Sequence, residues 1–274
     1  MQKPEILESF TLSKKGDQER NEDALYVGDR FIAVADGVTP KAPQPEGATE
    51  TSGRFASRTL CSLLPKMPAL TQPEEMLTWL NTQLKEKIAE SIFADCSEKP
   101  SASVIFYDAL TQRVISYGDC QLLWKGQVYK REKAVDKRLS EKRSQILQER
   151  LEQGCTPEEL LQNDVGRAAI VAELMTHAAQ NANKPGGEGF PVLGIGEIVP
   201  EYIDVYPVSG EVVLASDGYP ELADTLEQSE RHLQEVVQTD PLLICKYKST
   251  KGMAQGNVSY DDRTYIRFAI LTAR

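Results

Sequence analysis

Short apolar runs dominate the first third of the chain. Residues 24–27 and 31–35 are two such runs, parted by Gly28-Asp-Arg30. That spacing predicts two strands joined by a tight turn. Three prolines between 40 and 45 predict a loop. A helix over about 50–64 follows. A second is expected from Thr71 as N-cap, with Glu74 returning to it and Met76, Leu77, Leu80, Leu84, Ile88 and Ile92 at helical spacing. The pattern reverts to strands at 103–107, 114–117 and 121–124. From 130 to 183 it turns polar and helical, with Thr156-Pro-Glu-Glu159 as a helix start and a further helix over 166–182 ended by Pro185-Gly-Gly187. Strands are expected again at 202–206, 212–215 and 264–271, with a helix over 225–239 before the last. Adjacent short strands with tight turns, and helices that do not alternate strictly with them, predict an α+β fold of antiparallel sheets with helices packed outside.

Composition narrows the function classes. The chain has 274 residues, 41% hydrophobic and 26% charged, as in an ordinary globular protein. Its formal charge of −10 argues against nucleic acid and anionic membrane as partners. The opening MQKPEILESF lacks the basic and apolar segments of a signal peptide, and no apolar run reaches membrane-spanning length. A cytoplasmic location is therefore expected. Five scattered cysteines, none in a CxxC, argue against structural zinc and a disulfide framework and predict small buried core residues. The two histidines, His177 and His232, exclude a three-histidine metal site and read as ordinary helix residues.

Carboxylates fall at the ends of the predicted strands. The runs ending in Asp36, Asp119 and Asp217 are joined by Glu22-Asp23 before one strand and Asp261-Asp262 before the last. Each Asp-Gly alone reads as a turn. If the strands lie in packed sheets, their ends can converge on one rim, where clustered carboxylates repel unless a cation offsets them. All-oxygen ligands select hard ions such as Mg²⁺ or Mn²⁺. Two such ions bridged by one Asp would activate a water for in-line attack on phosphorus.

Taken in order, these segments resemble the metal-dependent protein phosphatase family, the protein phosphatase 2C-like or PPM-type enzymes. Arg20-Asn-Glu-Asp-Ala24, Ala35-Asp-Gly37, Gly53-Arg-Phe-Ala-Ser57, Gly118-Asp-Cys120, Ala215-Ser-Asp-Gly218 and Asp261-Asp-Arg-Thr264 carry the resemblance, which spans nearly the whole chain. It implies one phosphatase domain over 1–274, an αββα sandwich of two antiparallel sheets flanked by helices, with a helical flap or insertion at about 130–183. It implies a phosphoserine/phosphothreonine phosphatase using two Mn²⁺ or Mg²⁺ ions. Asp36 would bridge them, Glu22 and the Gly37 carbonyl would complete one shell, and Asp217 and Asp261 the other. Asp119 with Asp217 matches a third-ion position. Asp23 would act through water. The implied partners are a phosphorylated protein and a cognate Ser/Thr kinase or its targets.

The chain departs from that pattern at four places. Gln18 stands where many relatives carry the Arg that grips phosphate, which makes nearby Arg20 the candidate substitute. Val38 stands where many eukaryotic relatives carry a His, the double glycine that often follows is missing, and Asp262 replaces an Asn. The resemblance therefore leaves three readings open: a protein phosphatase, a phosphatase-like binding or regulatory module without turnover, and a hydrolase of small phosphorylated metabolites. Gly194-Ile-Gly196 lacks the third glycine of a dinucleotide site, and no P-loop occurs.

Overall fold

Alternation along β3 (Phe31–Gly37) sorts its side chains between two cores. Phe31, Ala33 and Ala35 pack under the helices α1 (Ser52–Leu63) and α2 (Pro73–Ala89). Ile32 and Val34 point the other way, into a core shared with a second sheet. β4 (Ala102–Asp108) repeats the division: Val104 and Phe106 face the helices, Ile105 and Tyr107 the opposite sheet. Two faces buried at once explain why β4 is buried along its whole length.

The computed structural model describes residues 3–270. Its remaining elements are β1 (Glu5–Leu12), β2 (Asp23–Val27), β5 (Arg113–Tyr117), β6 (Gln121–Trp124), β7 (Gln127–Tyr129), α3 (Ala134–Glu152), α4 (Pro157–Gln162), α5 (Val165–Asn181), β8 (Asp204–Pro207), β9 (Gly210–Ala215), α6 (Leu226–Thr239) and β10 (Arg263–Ile270). One five-stranded sheet runs β2-β3-β4-β5-β8, the other β1-β10-β9-β6-β7, and every pairing is antiparallel. Val212, Leu214, Ile266 and Phe268 supply the second sheet's share of the central core. Its outer face carries Val213, Ala215 and Tyr265 under Tyr219, Leu222 and Leu226 at the start of α6. The αββα sandwich is thus present, with α3–α5 forming the expected helical segment.

Several expectations shift by local chemistry. Thr71 is not a cap: α2 starts with Pro73 at its first position, Gln72 stands at the N-cap, and no side chain caps it. Proline's fixed φ starts the turn without a cap. The helix ends at Ala89, so Ile92 is half exposed while Met76, Leu77, Leu80 and Leu84 are buried. Thr156 and Glu159 do form their reciprocal capping box. β1 and β7 were not expected from the pattern. β1 is an edge strand whose exposed positions are Glu5, Leu7 and Ser9, and β7 has three residues. Of the cysteines, Cys61 and Cys120 are buried, Cys96 and Cys155 partly so, and Cys245 is exposed on the loop before β10. The expected last residue of the final strand, Leu271, lies outside the described residues.

Candidate functional site

Strand pairing gathers the carboxylates. Asp36 at the end of β3 is in register with Asp23 of β2 and Ser103 of β4. Asp119 lies in the β5–β6 turn and Asp217 just past β9, while Asp261 and Asp262 precede β10. Asp36, Asp119, Asp217 and Asp261 line the floor of one cleft of about 640 Å³. The glycines beside them answer to packing. A Cβ on Gly37 would stand 2.2 Å from the Gly53 carbonyl oxygen of α1, and one on Gly218 2.0 Å from that of Asp262.

The carboxylates gathered here, with Glu22 behind the cleft lining, divide into those that already have cations and those that have none. Glu22 is buried and fully engaged: Lys14 Nζ donates to Oε2 at 3.0 Å, Thr39 Oγ1 to Oε2 at 2.6 Å and Thr51 Oγ1 to Oε1 at 2.7 Å. Thr51 is also the N-cap of α1, so the helix start and Glu22 are fixed together. Lys14 reaches Asp261 at 3.4 Å as well, and Lys251 pairs with that same carboxylate. Lys133 holds Asp119 at 2.6 Å, with Ser103 Oγ donating at 2.5 Å. Burial would raise Asp119 and Asp261, but the lysine charges hold both below the usual carboxylate range. Lys14 is correspondingly raised: burial works against its charge, and Asp261, Glu22 and Asp262 outweigh it.

Asp36 and Asp217 are different, since neither carboxylate makes an ion pair among the described residues. Burial, then Asp217 and Asp23, push Asp36 well above the usual range. Burial, then Asp119 and Asp261, push Asp217 up to about 7. Two unpartnered carboxylates repelling each other at a cleft floor are a donor set that suits a hard divalent cation. The fit is partial. Among the described residues, no group of three or more His, Cys, Asp or Glu side chains is placed to hold one ion together. Lysines already take up Glu22, Asp119 and Asp261.

Other expected residues land elsewhere. Arg20 sits in a 3-10 turn with its side chain 63% exposed, 3.5 Å from Asp17, and is not part of the cleft. The neighbouring Asp17 draws it outward. Gln18 donates to the Thr11 carbonyl and accepts from Asn21, so it braces the turn. Asp23 is buried, and its Oδ2 has no partner among the described residues. His177 lines the cleft wall, 3.1 Å from Glu188. Asp262 proves to be a clamp: its two oxygens accept from the backbone N–H groups of Lys14 at 2.7 Å and Glu22 at 2.8 Å, tying the N-terminal segment to β10. An acceptor-only side chain suits two backbone donors, which accounts for Asp at this position. Sequence reasoning missed Lys14, Lys133 and Lys251. Their pairings span 8, 14, 10 and up to 248 positions of chain, so no local spacing marks them.

The fold is the one found in serine/threonine phosphatases. No protein-family model and no curated protein matches the chain. Among solved structures, a mutant bacterial serine phosphatase matches with a TM-score of 0.50 at 13% identity, over 99% of this chain and 100% of that one. The catalytic domain of the serine/threonine phosphatase PstP, in complex with two manganese ions, matches at 0.49 and 16%, over 97% and 99%. Stp1 of Staphylococcus aureus matches at 0.48 and 16%, over 99% and 98%.

Proposed function

We propose that the chain, as one catalytic unit over 1–274, is a metal-dependent phosphomonoesterase of the protein phosphatase 2C-like kind. Its substrates would be phosphoserine and phosphothreonine proteins, the targets of a cognate kinase in the cytoplasm. The observation that carries the reading is the unpartnered pair Asp36 and Asp217 on the floor of a cleft whose walls are cationic.

In this reading Asp36 and Asp217 would hold Mn²⁺ or Mg²⁺, with Asp119, Asp261, Glu22 and the Gly37 carbonyl as the further donors. Bound there, the ions would supply Lewis acidity and offset the carboxylate repulsion. The chain's own groups do the rest. Lys133 and Ser103 fix Asp119, and Lys14 with Thr39 and Thr51 fixes Glu22. Tyr260 donates to the backbone carbonyl of Asp217 at 3.3 Å and steadies the turn that presents it. The cationic walls favour a phosphate dianion over a neutral ligand.

The test is phosphate release from p-nitrophenyl phosphate and from a phosphopeptide, with Mn²⁺ or with a chelator, against a panel of small phosphorylated metabolites. Metal-dependent release from the phosphopeptide supports the reading, and no release in any metal contradicts it. The lysine pairs on Glu22, Asp119 and Asp261 favour one second reading, a phosphate-binding module without turnover. Binding of the phosphopeptide with no phosphate released would establish that instead.

A further inference from the structure

The chain carries more acid than base, yet the walls of its cleft carry nine lysines and arginines against three carboxylates once the four floor aspartates are set aside. Four of those cations act on one another. Two are already committed, Lys133 to Asp119 and Lys251 to Asp261. Of the other two, Lys41 has only a long pairing with Glu98 and Arg167 has no ion pair among the described residues.

Lys41 stands on the loop after β3, with its side chain 16% exposed. Its Nζ donates to the Thr39 carbonyl at 3.2 Å, and its nearest carboxylate, Glu98, is 3.9 Å away. Glu98 Oε2 accepts from the backbone N–H groups of Lys41 and Ala42 at 2.8 and 2.9 Å, and the long ammonium contact is to Oε1. The loop is therefore held by its backbone, and the ammonium keeps only the weaker, longer carboxylate contact. Arg167 lies in the first turn of α5 and donates from Nη1 to the Thr250 carbonyl at 3.0 Å. It makes no ion pair among the described residues. The nearby Asp164 is consumed by Arg143, at 2.7 and 2.9 Å, and by the Arg167 backbone N–H at 2.7 Å. Burial lowers the pKa of Lys41, and Arg167, Lys133 and Lys251 add to it against the Glu98 charge; burial also lowers that of Arg167, against Asp164. Half-buried like charges facing one cleft raise its free energy until an anion enters. A guanidinium presents paired donors to phosphate oxygens, and an ammonium adds a point charge.

We propose that Lys41 and Arg167 form the phosphoryl grip of this cleft, binding the phosphate dianion of the substrate from the wall while Asp36 and Asp217 face it from the floor. The grip supplies what Gln18 and the outward-turned Arg20 do not. It places substrate binding on the 130–183 insertion, through Arg167, as well as on the sandwich. This inference rests on the hydrolase reading for the fate of the phosphate but not for its binding.

The experiment measures inorganic phosphate binding by ³¹P NMR in Mg²⁺ buffer, on the full chain and on Lys41→Met, Arg167→Met and Arg167→Lys, with p-nitrophenyl phosphate turnover in parallel. Each neutral variant should weaken phosphate binding about tenfold or more, as loss of a charge-assisted hydrogen bond does. The increase should appear in KM before kcat, and Arg167→Lys should recover part of it. Lys41→Met leaves the Glu98 backbone anchor intact, so it tests the grip even if losing the Arg167–Thr250 bond unfolds Arg167→Met. Phosphate affinity within about twofold of the parent in folded Lys41→Met and Arg167→Met overturns the grip, even if turnover is robust. Failure of the parent chain to bind phosphate overturns it too. Binding that depends on Lys41 and Arg167 in a chain that releases no phosphate upholds the grip and removes the hydrolase reading.

Discussion

Glu22 and Asp36 stand at the ends of adjacent strands, and their environments differ sharply. Glu22 has an ammonium and two hydroxyls on its two oxygens. Asp36 has no ion pair, and burial and neighbouring carboxylates raise its pKa. The contrast separates two uses of a carboxylate at one site. Where the chain supplies its own cation, the group ties segments together. Where it supplies none, the group is left without a counter-charge. Lys14 makes the difference, because it joins Glu22, Asp261 and Asp262 across more than 240 positions of sequence.

The largest test of that division is Lys14→Met. It leaves a buried Glu22 and Asp262 without their cation and should cost about 3–5 kcal/mol in urea unfolding. A stability change near zero would show that Lys14 is not the internal counter-ion. Asp36→Asn should act in the opposite sense. Turnover should fall about 100-fold or more, while the melting temperature of the metal-free protein stays level or rises, since repulsion is relieved. A clear drop in melting temperature would mean that Asp36 is structural after all. Asp262→Asn removes one of two acceptors for backbone N–H groups and should cost about 1–3 kcal/mol. Thr51→Ala, which loses a helix cap and one hydroxyl on Glu22, should cost about 1 kcal/mol. A loss for Thr51→Ala well beyond that would place more of the N-terminal half's stability on Glu22 than the lysine account allows.

The same contrast explains what the sequence could disclose. The sandwich was legible because β3, β4, β9 and β10 alternate or run apolar with period two, and because α2 keeps its apolar stripe from Met76 to Ile88. The positions of Asp36, Asp119 and Asp217 were legible because each ends such a run. β1 was not, because its exposed positions alternate with only partly buried ones at a sheet edge. Thr71 misled because Pro73 starts the helix without it. The lysine partners were illegible for a different reason: a salt bridge between Lys251 and Asp261, or Lys133 and Asp119, follows from which loops the fold brings together, and no periodicity encodes it. Asp262 was legible as a departure from the family pattern, while its role as a clamp required the backbone of Lys14 and Glu22 to be in place.

The most direct measurement is a calorimetric titration of Mn²⁺ into the metal-stripped chain, into Asp217→Asn and into Glu22→Gln. If the unpartnered pair is the ligand centre, Asp217→Asn loses the tightest binding step, and Glu22→Gln, whose carboxylate Lys14 already holds, changes it far less. Equal losses in the two variants, or a greater loss in Glu22→Gln, would contradict the division on which this account rests.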